Sequence, residues 1–164
     1  MLKTFEECID SLFVTDSVQK MKDIKHHVNL TCLDHSLFVS YVSYRICKFL
    51  KWDYKAAARG GLLHDLFLYD WRKSDAPDGW HGSVHPKVAL KNAEELFESL
   101  EGEELNFLER DMIVKHMWPV TFSKPSYKES MIVCMVDKIC AVTEMALVFK
   151  LIKFKSRYFE KAAA

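Results

Sequence analysis

The sequence predicts an all-α protein, a single-domain bundle of five to seven helices. Apolar residues recur at helical spacing along nearly the whole chain. Only five Gly and four Pro punctuate 164 residues, too few for the many turns of an all-β protein. No internal repeat, low-complexity tract or Gly/Ser linker interrupts the pattern, so one domain is expected across 1–164. That length suffices to bury a sizeable core around an enclosed site.

The first helix is expected over about Thr4 to Lys25. The second starts near "NLTCLDHS", where Thr31 and Asp34 have capping-box spacing with Asp in place of Glu. Its stripe is His35, Phe38, Val39, Val42, Ile46 and Phe49. The third covers about Asp53 to Leu68, with Tyr54, Ala57, Ala58, Gly61, Leu62 and Asp65 on one face. The small residues there let another helix approach closely. A polar loop, "YDWRKSDAPDGWHGSV", is the longest irregular segment. Pro86 then opens a helix at its favoured first-turn position, with Ala89, Ala93, Leu96, Phe97 and Leu100 inward. The fifth helix, about Glu103 to Met117, carries Leu105, Leu108, Met112 and His116 on its stripe, and the last covers about Tyr127 to Lys150 or beyond.

Composition excludes several function classes. Lys plus Arg and Asp plus Glu balance at 23 each, so no net charge points to a nucleic-acid polymer or a membrane surface. The most apolar stretch, Met131 to Ile152, is interrupted by Asp137, Lys138, Glu144 and Lys150, so no membrane span is expected. The N-terminal "MLKTFEECID" carries acids where a signal peptide needs an apolar run. Five scattered cysteines without a CxxC pair suit a reducing compartment, and a cytoplasmic location is expected. A GxxxxGK[ST] loop and a GxSxG elbow are both absent from the sequence.

Chemistry concentrates on the buried stripes. His35, Asp65, His116 and Asp137 fall in register with apolar neighbours on four different helices. One such histidine would be an ordinary core residue, but buried carboxylates are costly and a shared cation neutralises several at once. Helical bundles build metal sites from inward side chains in this way. Imidazoles and carboxylates without thiolate suit iron, manganese, zinc, cobalt or nickel.

The order of these residues, His35, the adjacent His64–Asp65, His85 before Pro86, His116 and then Asp137, resembles the HD-domain metal-dependent phosphohydrolase superfamily over roughly residues 30–150. "DHSLFVSYV", "GGLLHDL" and "DKICAVTE" are similar to the family's local contexts. The resemblance implies an HD-type domain in which His35, His64, Asp65 and Asp137 are the core metal ligands. His85 and His116 would complete a second divalent ion, with Asp65 bridging the two. It further implies hydrolysis of a small phosphate ester, a nucleotide among the candidates, by water activated between the ions. His81 competes with His85 for one slot, and the His–Pro context favours His85. His26 and His27 read as solvated helix-end residues.

Lys138 follows the last Asp, as in many members of the superfamily, and is the preferred partner for a substrate phosphate. Lys115, Lys87 and Lys91 are weaker candidates. The chain departs from the HD-x-G-K pattern, because Leu68 stands where that lysine would be. Arg72 is the candidate replacement charge, with Asp70 a proton-transfer helper or orienting group. Loop 69–85 is then the expected determinant of substrate choice. Trp71, Trp80 and Trp118 lie beside proposed site positions, as stacking platforms for a nucleobase or as packing anchors.

Two rival readings share these residues. HD-type diiron oxygenases use the same ligand set, and a non-catalytic domain would keep the metal for sensing or stability. "MWPVT" after His116 lacks the Gly-Tyr-Pro of cyclic-dinucleotide phosphodiesterases. The basic, aromatic tail "LVFKLIKFKSRYFEK" reads as a final core helix or a homodimer contact.

Overall fold

The computed structural model describes residues 3–25, 30–70 and 77–145. These form seven α-helices and one 3-10 turn, with an isolated bridge between Lys25 and Thr31 as their only β-type pairing. The all-α expectation therefore holds among the described residues. None of their helices is long and apolar enough to cross a membrane.

The expected first helix is broken. α1 (Phe5–Phe13) starts on a capping box between Thr4 and Glu7 and stops where Thr15 turns extended. There the Thr15 hydroxyl donates to the Leu12 carbonyl at 2.6 Å, a local bond that competes with continued helix. A short α2 (Asp16–Lys20) and the 3-10 turn Met21–Asp23 follow. His26 and His27 lie outside the described residues.

α3 (Cys32–Phe49) begins as expected, with Thr31 and Asp34 forming both halves of the capping box. Its buried face includes Cys32, His35, Ser36, Val39, Ser40, Ser43 and Cys47. Phe49 does not belong to that face: it lies about 200° around the helix from Cys47 and is 86% exposed. The serines give α4 (Tyr54–Leu63) room to approach. A Cβ on Gly61 would sit 2.8 Å from the Ser40 Cα, so only glycine allows the two backbones this close. The Ser40 hydroxyl donates to the Ala58 carbonyl at 2.5 Å across the same contact.

α4 is the central element, packing against α1 and α3 and against the later helices α6 (Phe107–Lys115) and α7 (Lys128–Met145). Every residue from Ala56 to Leu63 is buried. Its Ala58, Leu62 and Leu63 join one apolar cluster with α1 and α5 (His81–Glu98), while Ala56 and Ala57 join a second with α3, α6 and α7.

Three boundaries differ from expectation, and each bears on the site. α4 ends at Leu63 rather than near Leu68, and Leu68 itself has a left-handed φ of 51° that helix cannot continue through. α5 starts at His81, so Pro86 lies inside it rather than opening it. α6 starts after Asn106, whose side chain forms a capping box with Glu109, and not at Glu103. The last helix is described to Met145, and the tail beyond it lies outside the described residues.

Candidate metal centre

The imidazoles of the centre are presented largely by helix ends. His64 is the C-cap of α4 and His116 the C-cap of α6. The last carbonyls of a helix lack main-chain partners, and both histidines use one: His64 Nδ1 donates to the Gly61 carbonyl and His116 Nδ1 to the Ile113 carbonyl, each at 2.8 Å. Within α5, His85 Nδ1 donates to the His81 carbonyl, also at 2.8 Å. A carbonyl can only accept, so Nδ1 carries the proton in all three rings and a neutral imidazole offers its lone pair at Nε2.

Those Nε2 atoms converge. His35, His64 and Asp137 form one triad and Asp65, His85 and His116 another, all buried, with the ligating atoms of each triad within 4.8 Å of one another. His35 Nε2 lies 3.1 Å from Asp137 Oδ1. Asp65 stands between the triads. Its Oδ2 faces His64 at 3.4 Å and His35 at 3.9 Å, while its Oδ1 faces His85 at 3.3 Å and His116 at 3.5 Å.

The donor set fits cations on two grounds. His85 Nε2 and His116 Nε2 are 2.8 Å apart. With Nδ1 protonated on both, the neutral rings point lone pairs at each other, which is unfavourable unless a proton or a cation lies between. His64 Nε2 is buried without a well-formed hydrogen bond, although carboxylates stand 3.4 and 3.6 Å away. An orphaned, inward-aimed nitrogen among carboxylates is what a metal ligand looks like before loading.

Electrostatics separates the residues further. Burial, reinforced by repulsion from His64, pushes His116 down to about 3, so its ring is neutral. Burial also opposes charge on His64, but the Asp65 and Asp137 carboxylates outweigh it and hold the ring above its ordinary value. Asp137 is held well below the usual carboxylate range: burial would raise it, and the bond from His35 together with the facing His64 ring prevails.

All six sequence-predicted ligand residues, His35, His64, Asp65, His85, His116 and Asp137, are thus brought together. The other predicted site residues divide. Lys138 Nζ donates to the His116 carbonyl and lies 3.6 Å from Asp137 Oδ2, at the edge of the centre. Lys115 is engaged by Asp111 and Ser126, both at 2.5 Å, and Lys91 pairs with Glu95. Lys87 is exposed, and Asp70 is half-buried just after the Leu68 turn. Arg72 and Trp71 lie outside the described residues. Trp80 is 58% exposed and Trp118 half-buried.

Sequence reasoning missed the support of His85. His81, placed in a loop, is the first residue of α5, and its ring stacks on His85 at 4.5 Å between centroids. The Tyr69 hydroxyl lies 3.1 Å from His81 Nδ1. The i, i+4 spacing of His81 and His85 was the available signal, hidden by reading Pro86 as a helix start. No protein-family model, curated protein or solved structure matches the chain.

Proposed function

We propose that the protein is a metal-dependent phosphohydrolase of the HD type, with two divalent ions held by His35, His64 and Asp137 and by Asp65, His85 and His116. The observation that carries this reading is Asp65, whose two oxygens each face a different histidine pair. Ions bound there would supply an activated water and polarise a phosphoryl oxygen.

The chain's own groups do the rest. The three Nδ1–carbonyl bonds fix ring orientation and tautomer before any ion arrives. Asp65 and Asp137 are the two carboxylates of the triads. With neutral imidazoles they leave a dinuclear divalent centre with net positive charge, which favours an anionic substrate such as a small phosphate ester, nucleotides included. Lys138, half-exposed beside Asp137, is the side chain suited to a second contact with the phosphate. Asp70, half-buried five residues after Asp65, is the candidate proton-transfer helper.

The test is metal content per chain of protein purified without an affinity metal column, beside Asp65→Ala. Two manganese, zinc, cobalt or nickel ions, lost in the variant, with turnover of phosphomonoesters or nucleotides, is the expected result. Two irons with oxygen uptake would replace hydrolysis by the oxygenase reading. No metal after reconstitution would end both.

A further inference from the structure

We propose that the triad Asp65, His85 and His116 takes up its ion in a separate and weaker step than the triad His35, His64 and Asp137, and that Tyr69 and His81 clamp His85 to hold that second site together. This rests on the metal-centre reading above.

The two triads are supported differently. His35 and His64 are wholly buried where α3, α4 and α7 pack together, and the bonds that orient them lie inside that packing. His85 sits near the start of α5, which makes few contacts with α4 and packs chiefly on α6. Its Nδ1 depends on the carbonyl of His81, the first residue of that helix. The N-cap residue, Trp80, makes no side-chain capping bond, so the first turn lacks its usual anchor.

Tyr69 supplies a substitute. Its hydroxyl meets His81 Nδ1 at 3.1 Å and ties the first turn of α5 to the chain that follows the His–Asp pair. The His81 ring lies nearly parallel to His85, inclined by 27°. Phe67 packs edge-on against both rings, at 5.3 and 5.6 Å between centroids. His81 and Tyr69 are half-buried, so the outer side of the second triad is closed by two rings that a hydrogen bond holds in place. Releasing that bond loosens the His81 ring, and with it the stacking surface and the carbonyl that aim His85 Nε2. Partners of this kind change metal affinity by about 10- to 100-fold.

The experiment is a calorimetric titration of metal-free protein with cobalt(II), followed in parallel by the visible absorption of the bound ion. Wild type, Tyr69→Phe and His81→Ala are compared, and thermal unfolding of the metal-free proteins is recorded. Two binding steps are expected in wild type. The second should weaken by about tenfold or more in both variants, with an altered absorption spectrum, while the first step stays unchanged in both and the metal-free unfolding temperature of Tyr69→Phe stays close to that of wild type. Tyr69→Phe keeps the ring packing and removes only the hydrogen bond. Equal second steps in all three proteins would overturn the clamp and leave the metal centre standing. Equal weakening of both steps, or a matching fall in the metal-free stability of Tyr69→Phe, would overturn it in favour of a general structural role. A single step in wild type would also overturn it, and no uptake at all would remove the metal centre with it.

Discussion

Glu109→Gln is expected to shift the stability difference in favour of the variant as pH rises from 5 to 8. Glu109 is 1% exposed and lies in α6, whose C-cap is His116. One oxygen accepts the Asn106 N–H at 2.9 Å, and the other lies 2.8 Å from Arg59 Nε. Arg59 also serves Glu103 at 2.7 Å and the Glu104 carbonyl at 2.9 Å. Geometry alone would make Glu109 a stabilising ion-pair member, yet burial outweighs Arg59 and pushes its carboxyl up from 4.5 to about 7. Burial prevails, because a guanidinium shared among three acceptors cannot fully offset the desolvation of a carboxylate that water does not reach. The folded protein then binds this proton more tightly than the unfolded chain. The group costs nothing below pH 4.5, costs more as pH rises from 4.5 to about 7, and costs a constant amount above that. At about 1.4 kcal/mol per pH unit, the full penalty is roughly 3 kcal/mol. Gln is neutral throughout, and its one amide oxygen can keep the capping bond from Asn106, while its NH2 group then meets Arg59 Nε–H, a donor-to-donor contact whose cost does not vary with pH. Urea unfolding of metal-free wild type and variant at pH 5, 6, 7 and 8 measures the difference, in which distant titrating groups cancel. Between pH 5 and pH 8 the difference should move in favour of the variant by roughly 2 to 3 kcal/mol. A difference that stays flat across this range would refute the reasoning and show that the ion pair keeps Glu109 charged.

Gly61→Ala should cost about 1–3 kcal/mol in thermal unfolding, because its Cβ would meet the Ser40 backbone at 2.8 Å. Gly60→Ala should cost less, since the obstacle there is the flexible Met112 side chain. Removing metal with a chelator should lower the unfolding temperature of wild type and leave Asp65→Ala unmoved; at free ion 100-fold above its dissociation constant the lost stabilisation is about 3 kcal/mol. Equal shifts in the two proteins would place the metal elsewhere.

Periodicity and capping chemistry made much of the fold legible. The Thr31–Asp34 box marked the neighbourhood in which α3 starts, and the apolar stripes located the long helices. The misplaced boundaries have different causes. "NFLE", with Asn106 and Glu109 in capping-box positions, was a readable start for α6 that a longer apolar stripe overrode. The early end of α4 was less readable, because His64 and Asp65 continue the helical register and only the Nδ1 bond to Gly61 and the Leu68 backbone show that the helix has stopped. Within the site, residue types and order were enough to nominate six side chains. The contribution of Tyr69 and His81 was not legible, since a hydrogen bond across a loop leaves no periodic trace.

Ending two helices at the centre has an electrostatic consequence. The C-caps of α4 and α6 are His64 and His116, so the negative ends of both helix dipoles lie at the triads. Two carboxylates stand there as well. This field attracts cations and repels phosphate. Lys138, the nearest described lysine with a bond into the centre, has its ammonium committed to the His116 carbonyl at the end of α6 and lies beside Asp137. A phosphate site built by this chain is therefore expected only after cations reverse the local charge. Calorimetric titration with inorganic phosphate should show no binding to metal-free protein and measurable binding once zinc or manganese is loaded. Binding of equal strength in both states would mean that side chains away from the triads recognise the phosphate, and the centre would lose its claim to the substrate.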